Sequence, residues 1–329
     1  MREVVRHVPI PKSRDPFVNT PLLSLGRDGR GVERFWISTW NANVGTTGVV
    51  VDETGACRVY RPGARVHGAY SASPESDRVL WLCNTLDGVI RLDLRTGKHR
   101  RFDTGAPAAL VFQGMPRDPV TGKLFAAAHP GLETAACSFD TRRRRAARVY
   151  RHVARDNYMR VSFPNGDGTW SVLLACPGVS LLRWDPRSET VETRRLTDEI
   201  DLHGVGALLS RLIRDDAGRV YFPGFGWLNP RTRRFAKSGP RPEREACWFA
   251  RRGRFAWGAV GGGEETTVRL WDLETGEVTD LCTVPDAGVL NLNVTASGRV
   301  VCVNTYGVFH RFHARTGALE LAKPLPTDA

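Results

Sequence analysis

Apolar residues fall along this chain in short runs, many alternating with polar ones, and Gly, Asn, Asp or Pro bounds almost every run. Val289-Leu290-Asn291-Leu292-Asn293-Val294, Arg299-Val300-Val301-Cys302-Val303 and Val308-Phe309-His310-Arg311-Phe312 follow one another with Ala296-Ser297-Gly298 and Asn304-Thr305-Tyr306-Gly307 between them. A period of two with turn residues at each end predicts half-buried antiparallel strands joined by tight hairpins.

The runs repeat as a unit. Seven times an acidic or polar residue closes an apolar strand and a turn follows: Asp52, Asp93, Asp140, Asp185, Asn229, Asp272 and His313. Neighbouring anchors are 41, 47, 45, 44, 43 and 41 residues apart. A period in the low forties with four strands per period is the mark of a β-propeller blade. The predicted fold is therefore all-β, a seven-bladed β-propeller with four antiparallel strands (a to d) in each blade. Residues 1–18 read as an N-terminal arm that helps close the ring, and 19–329 as a single propeller domain. Val4 to Val8 would pair beside blade seven. Blade one would use Pro21 to Leu25, Arg34 to Thr39, Gly48 to Val51 and Cys57 to Tyr60 as its four strands. The anchors serve the turns: an Asp ahead of x-x-Thr-Gly can accept backbone amides across the hairpin.

Composition adds limits. No apolar run is long enough for a membrane span, and Met1 to His7 holds no signal-type segment, so a cytoplasmic location is expected. The seven cysteines are odd in number, scattered and never spaced C-x-x-C, which points to reduced structural thiols. The net charge is +12, yet only five of the 47 basic residues are lysine. That bias fits a composition effect better than a phosphate-binding surface. The densest run, Arg142 to Arg145, falls on a hairpin tip, and no stacking aromatics are interleaved with it, so nucleic acid is not the expected partner. An anionic small molecule would gain from the same field.

Candidate chemistry gathers on one side of the repeat. In propellers the d–a connections and b–c turns share a face, and ligands usually bind there. In this register that face receives His67, Tyr158 and His203 from d–a connections, together with Asp156 and Glu243 to Glu245. The b–c turns bring Trp40, Asn41, Asn84, His129, Trp227, Glu264, Glu265, Asn304 and Tyr306. The opposite face receives mainly Gly, Asp, Arg and Ser. His67-Gly68 and His203-Gly204 precede strand a at equivalent places in blades two and five. Neutral imidazole is a ready general base or metal ligand near pH 7. Gly261-Gly262-Gly263-Glu264-Glu265 offers a carboxylate pair for a divalent cation or for acid–base work. The bland alternatives are a His that caps its strand and a Glu pair that is only a solvated tip. No nucleophile elbow, dinucleotide fingerprint or P-loop is present.

Two stretches carry a resemblance. Leu82-Cys83-Asn84-Thr85-Leu86-Asp87-Gly88-Val89-Ile90-Arg91-Leu92-Asp93 and Val303-Asn304-Thr305-Tyr306-Gly307-Val308 look like blades of the virginiamycin B lyase group. More loosely they resemble gluconolactonase and NHL-type propellers. The resemblance implies seven blades and a magnesium-assisted lyase acting on a macrocyclic ester through His and Glu. The Gly-Pro-Asp-Gly and Trp-Phe-Thr phrases of that group are missing, so no catalytic residue is carried over.

The expected function is thus a small-molecule-transforming enzyme of specialised metabolism, a lyase or cyclase. Its catalytic candidates are His67, His203, Glu264 and Tyr306. Trp40, Asn41, Asn84, Tyr158, Trp227 and Asn304 would bind substrate. A divalent metal, magnesium or another, would sit on His67, His129, His203 and Glu265. The alternative is a non-catalytic propeller that binds a protein partner through an exposed rim patch with Trp40, Phe225 and Trp227.

Overall fold

A computed structural model of the chain describes residues 18–19, 22–41, 45–62, 71–84, 88–104, 115–127, 134–156, 158–175, 178–196, 212–262, 264–285 and 291–326. Its regular structure is all β, and no helix among the described residues is long and apolar enough to cross a membrane. The fold is a seven-bladed β-propeller: seven antiparallel sheets succeed one another along the sequence, each built from consecutive strands.

Blade 4 shows the full pattern, with strands a to d at Tyr158–Pro164, Trp170–Ala175, Val179–Asp185 and Thr190–Arg195. Blade 7 repeats it at Asn291–Val294, Arg299–Val303, Val308–His313 and Leu319–Pro324. In blades 3 and 5 a single bridge, Arg117 to Leu124 or Arg214 to Val220, stands where strand a belongs. The residues ahead of those bridges, 105–114 and 197–211, lie outside the described set. Blade 1 has strand b at Glu33–Asn41, and two short segments pair with it. Leu23–Arg27 meets its first half and Val18–Asn19 its second. Strand a of this blade therefore starts before the predicted Pro21. Residues 1–17, including the predicted Val4 to Val8 pairing, lie outside the described residues.

Every one of the seven anchors is the last residue of its strand c. Each then accepts an amide two or three residues on. Asp93 Oδ1 takes the amides of Arg95 at 2.9 Å and Thr96 at 2.8 Å. Asp140 takes Arg142 and Arg143, and Asn229 takes Arg231 and Thr232. Asp52, Asp185 and Asp272 do the same with Thr54, Arg187 and Glu274. In blade 7 the imidazole of His313 fills the role, its Nδ1 accepting from Thr316 at 3.3 Å. In blade 2 these bonds favour the charged form: the Thr96 amide keeps the Asp93 carboxyl below its usual range.

The core can be described for two compact units. One comprises residues 1–60, 211–228 and 235–329, the other 61–210 and 229–234. In the second, Trp81, Phe125, Phe139 and Trp184 are buried together between blades 2, 3 and 4. In the first, Tyr221, Trp227, Trp248 and Trp271 make one cluster and Phe35, Val49, Val301 and Phe309 another. Close approach relies on small residues: a methyl on Gly48 would overlap the indole of Trp36, and one on Gly258 would sit 2.6 Å from Trp248. The five cysteines whose side chains are described carry free thiols, as expected. Burial pushes the Cys137 thiol up to about 12, which keeps it protonated and inert.

Blades 1 and 7, both in the first unit, are stitched by side chains. Asn293 Nδ2 donates to the Leu22 carbonyl, and Glu33 accepts the Ala296 amide at 2.7 Å. Glu53 accepts Ser297 Oγ at 2.6 Å, while Arg311 donates to its carbonyl at 2.6 Å.

Candidate functional site

Four of the predicted substrate-binding residues fall at the b–c and d–a end of their own blades. Trp40 and Asn41 close strand b of blade 1, Asn84 closes strand b of blade 2 (Val79–Asn84), and Tyr158 opens strand a of blade 4. His67, His129 and His203 lie outside the described residues.

Blades 6 and 7 bring four candidates to one corner. Strands b and c of blade 6, Phe255–Gly262 and Glu265–Asp272, form a long hairpin with Glu264 and Glu265 exposed at its tip. Glu265 pairs across the ladder with Pro285 of strand d. The Pro285 carbonyl accepts Nδ2 of Asn304 at 2.8 Å, from the b–c turn of blade 7. Asn304 is buried, and its Oδ1 takes the amides of Tyr306 at 3.1 Å and Val308 at 2.8 Å. Its amide group is therefore engaged on both sides by backbone. It fixes the turn that carries the half-buried Tyr306. The exposed carboxylates, Asn304 and Tyr306 share this corner.

Trp227 lies elsewhere. It sits within strand c of blade 5 (Gly226–Asn229), is 1% exposed, and donates Nε1 to the Pro240 carbonyl at 2.7 Å. The b–c turn assigned to it from sequence is one step earlier, because blade 5 is short. Its strands b and c hold three and four residues, against eight each in blade 6. Both c strands end at their anchors, so the blade 6 hairpin runs about 13 Å further at the other end.

That step leaves the two faces of blade 6 unequal. Trp271, Ala256 and Trp248 pack toward Tyr221 and Trp227 of blade 5, so Arg269, Thr267 and Glu265 share that face by alternation. These three are half-buried or exposed, while Thr266 and Val268 on the face toward blade 7 are each 1% exposed.

At the foot of the open wall lies a group that sequence reasoning placed only loosely. Glu245, just ahead of strand a of blade 6 (Cys247–Arg252), accepts the Tyr221 hydroxyl on Oε1 at 2.6 Å and the Gly224 amide at 2.9 Å. Its Oε2 is buried without a hydrogen-bond partner among the described residues. Burial, then the Glu245 carboxylate, pushes the Tyr221 phenol far above its ordinary value. The Glu245 carbonyl takes Arg269 at 2.7 Å, and Arg269 with Arg244 holds Asp280 at 3.0 and 3.1 Å. A desolvated carboxylate oxygen with no donor is a strong acceptor for an incoming N–H, O–H or cation. Asp156, also predicted for this end, is fully buried and structural: it accepts the Gly178 amide at 2.7 Å and Ser180 Oγ at 2.5 Å.

Among the described residues no three His, Cys, Asp or Glu side chains form a metal-binding group. Of the four predicted ligands only Glu265 is described, and its carboxylate is exposed and unbonded among those residues, open to a cation. At the opposite end of blades 5 and 6 a groove of about 510 Å³ runs beside Asp215, Arg219, Arg251 and Glu274. Its charges are paired with each other. Arg251 forks onto Asp216 with two contacts of 2.9 Å, and Arg219 holds Asp215 at 2.6 Å. It reads as an ion-pair seam.

Fold and turn chemistry define a β-propeller, and likeness to solved structures agrees at that level. The computationally designed Ika8 protein is similar to this chain with a TM-score of 0.51 and 13% identity, over 93% of this chain and 88% of that one. No protein-family model matches the sequence. No curated protein matches it either.

Proposed function

We propose that the chain is a small-molecule-transforming enzyme, a lyase or cyclase using His and Glu acid–base chemistry at the b–c and d–a end of its blades. The observation that carries this reading is the division of labour between the two blade ends. At the turn end seven anchors, five of them acids, cap seven hairpins. At the other end Glu264 and Glu265 are exposed beside Tyr306, and Glu245 keeps one oxygen without a donor among the described residues.

His67 and His203, which the sequence register assigns to d–a connections, would supply the general base. Glu264 would serve as acid and Tyr306 as a donor to a developing oxyanion. Taking the proton from the carbon beside a carbonyl, with donors holding the enolate oxygen, lets a double bond form to the next carbon as that carbon's bond to the ester oxygen breaks. The oxygen leaves as a carboxylate, and a macrocyclic ester opens without taking up water. A divalent cation held by Glu265 and the histidines would polarise that carbonyl when bound. The blade resemblance to virginiamycin B lyase supports the substrate class. The rival rim-binding reading draws no support from Trp227, which is buried, nor from Phe225, which is half-buried.

The test is metal analysis of chelator-free protein beside the His67→Ala/His203→Ala variant, followed by incubation with macrocyclic lactones and mass spectrometry. Stoichiometric metal lost in the variant, and a ring-opened product of unchanged mass, would support the lyase. A product one water heavier would make it a hydrolase instead. Turnover unaffected by the His variant would remove the proposed base.

A further inference from the structure

Arginine is not spread evenly over the outer strands. Strand d of blade 3, Arg145–Ala154, is ten residues long, and its edge is basic throughout. Arg142, Arg143, Arg144, Arg145, Arg148, Arg151 and Arg155 are all exposed, and no acid occurs between Asp140 and Asp156. Asp140 is occupied by the turn, and Asp156 is buried. Arg142 reaches the Val120 carbonyl, and Arg148 reaches the Glu189 carbonyl. The side chains of Arg144, Arg145, Arg151 and Arg155 make no hydrogen bond or ion pair among the described residues. Blades 2 and 4 also carry two arginines each on this strand (His99–Phe102 and Thr190–Arg195), but Asp103 follows the first and Glu192 sits within the second. Blades 6 (Val278–Pro285) and 7 carry none, and a long acid-free strand lined with arginines is particular to blade 3.

The backbone narrows the partner. His152 has φ of 56°, and Arg151, His152 and Val153 together face the single residue Ala135 across the ladder. Such a bulge twists an edge away from pairing with an added strand. Val149 is the one large apolar side chain exposed on the strand, so the aromatic anchors of a protein hot spot are missing. Stacking platforms for single-stranded bases are missing too, which disfavours single strands but leaves phosphate binding open. Arg forks suit phosphate oxygens, and a strand of ten residues spans about 33 Å, close to one helical turn of duplex.

We propose that this edge of blade 3 binds the phosphate backbone of double-stranded nucleic acid without reading its sequence. The probe is a fluorescent duplex DNA of mixed sequence, followed by anisotropy across a salt series. The wild type is compared with Arg144→Gln/Arg145→Gln/Arg151→Gln/Arg155→Gln, and with a control changing four exposed arginines elsewhere, Arg27, Arg58, Arg241 and Arg315, to Gln. The blade 3 variant should bind at least about tenfold more weakly. Its log–log salt slope should be shallower by about 3.6, or about 0.9 for each phosphate left without its arginine. The control should change little, and thermal melts of both variants should match the wild type. Equal weakening in the two variants would mean that net charge alone is at work and would overturn the proposal. Tighter binding to polyglutamate or to anionic lipid vesicles than to duplex would also overturn it.

Discussion

The hydroxyl of Tyr221 donates to Oε1 of Glu245 at 2.6 Å, joining strand b of the short fifth blade to the segment that opens the sixth. The carboxylate has the Gly224 amide as its second donor, so the phenol holds both the b–c turn of one blade and the start of the next. Tyr221→Phe should lower stability by about 1.5–3 kcal/mol, the range for a buried hydrogen bond to a charged group. Urea unfolding would report it. A midpoint within error of wild type would mean that water replaces the phenol and that this joint is unimportant.

His310 lies in strand c of blade 7, is 4% exposed, stacks on Phe312, and makes no hydrogen bond through Nδ1 among the described residues. Burial pushes it down to about 4, against a smaller opposing pull from the Val308 carbonyl. The folded chain keeps the ring neutral, whereas the unfolded chain protonates it below about 6.5. Stability is therefore full above about 6.5 and falls as pH drops toward 4, by about 3 kcal/mol from this group. From pH 7 to pH 4 the melting point of wild type should fall relative to that of His310→Leu. Parallel curves would show that the ring escapes to solvent before it titrates.

His313 does with a ring nitrogen what carboxylates or an amide do in the other six blades. Its nearest amide, Thr316, lies 3.3 Å away, against 2.8 to 3.0 Å in the other six. His313→Asp should raise the melting temperature, the change amounting to about 0.5–1 kcal/mol, because a charged acceptor at shorter range bonds amides better. In blade 4, burial raises the Asp185 pKa, but the amides of Arg187 and Ser188 outweigh it and hold it low. Asp185→Ala should cost about 1 kcal/mol. Opposite signs for the two substitutions are the expected result of parallel melts.

Gly48 has ordinary φ, so its conformation does not call for glycine, yet the Trp36 ring covers its α-carbon. Trp36 is pinned from the other side by its Nε1 bond to Ser38 at 3.1 Å. Gly48→Ala should therefore overpack blade 1 and cost about 1–3 kcal/mol. The paired Gly48→Ala/Trp36→Phe variant should recover part of that stability, which differential scanning calorimetry can measure.

The blade count and hairpin chemistry were legible because both are local. An anchor and the amides it caps lie within three residues, so Asp93 with Thr96 is visible as a phrase. Sequence alone misplaces Trp227 because an aromatic flanked by Gly226 in a short hairpin reads as a turn tip, and only the packing of Trp248 and Trp271 shows it to be core. The Glu245–Tyr221 pair carried no local signal. Its members are 24 residues apart in different blades, and no spacing rule joins a connection acid to a strand phenol. Glu264, Glu265 and Tyr306 were legible as b–c residues, but their link through Asn304 and Pro285 was not.

Among the described residues each sheet is built from strands consecutive in sequence, and the first and last blades meet through Glu33, Glu53, Asn293 and Arg311. No described sheet therefore depends on where between blades the polypeptide is opened. A circular permutant cut at the exposed Gly29–Arg30 turn would divide blade 1 between its two ends. One cut between blades, with the old ends joined, would leave all seven sheets covalently whole. The order in which the ribosome delivers the blades is then a matter of history, not architecture.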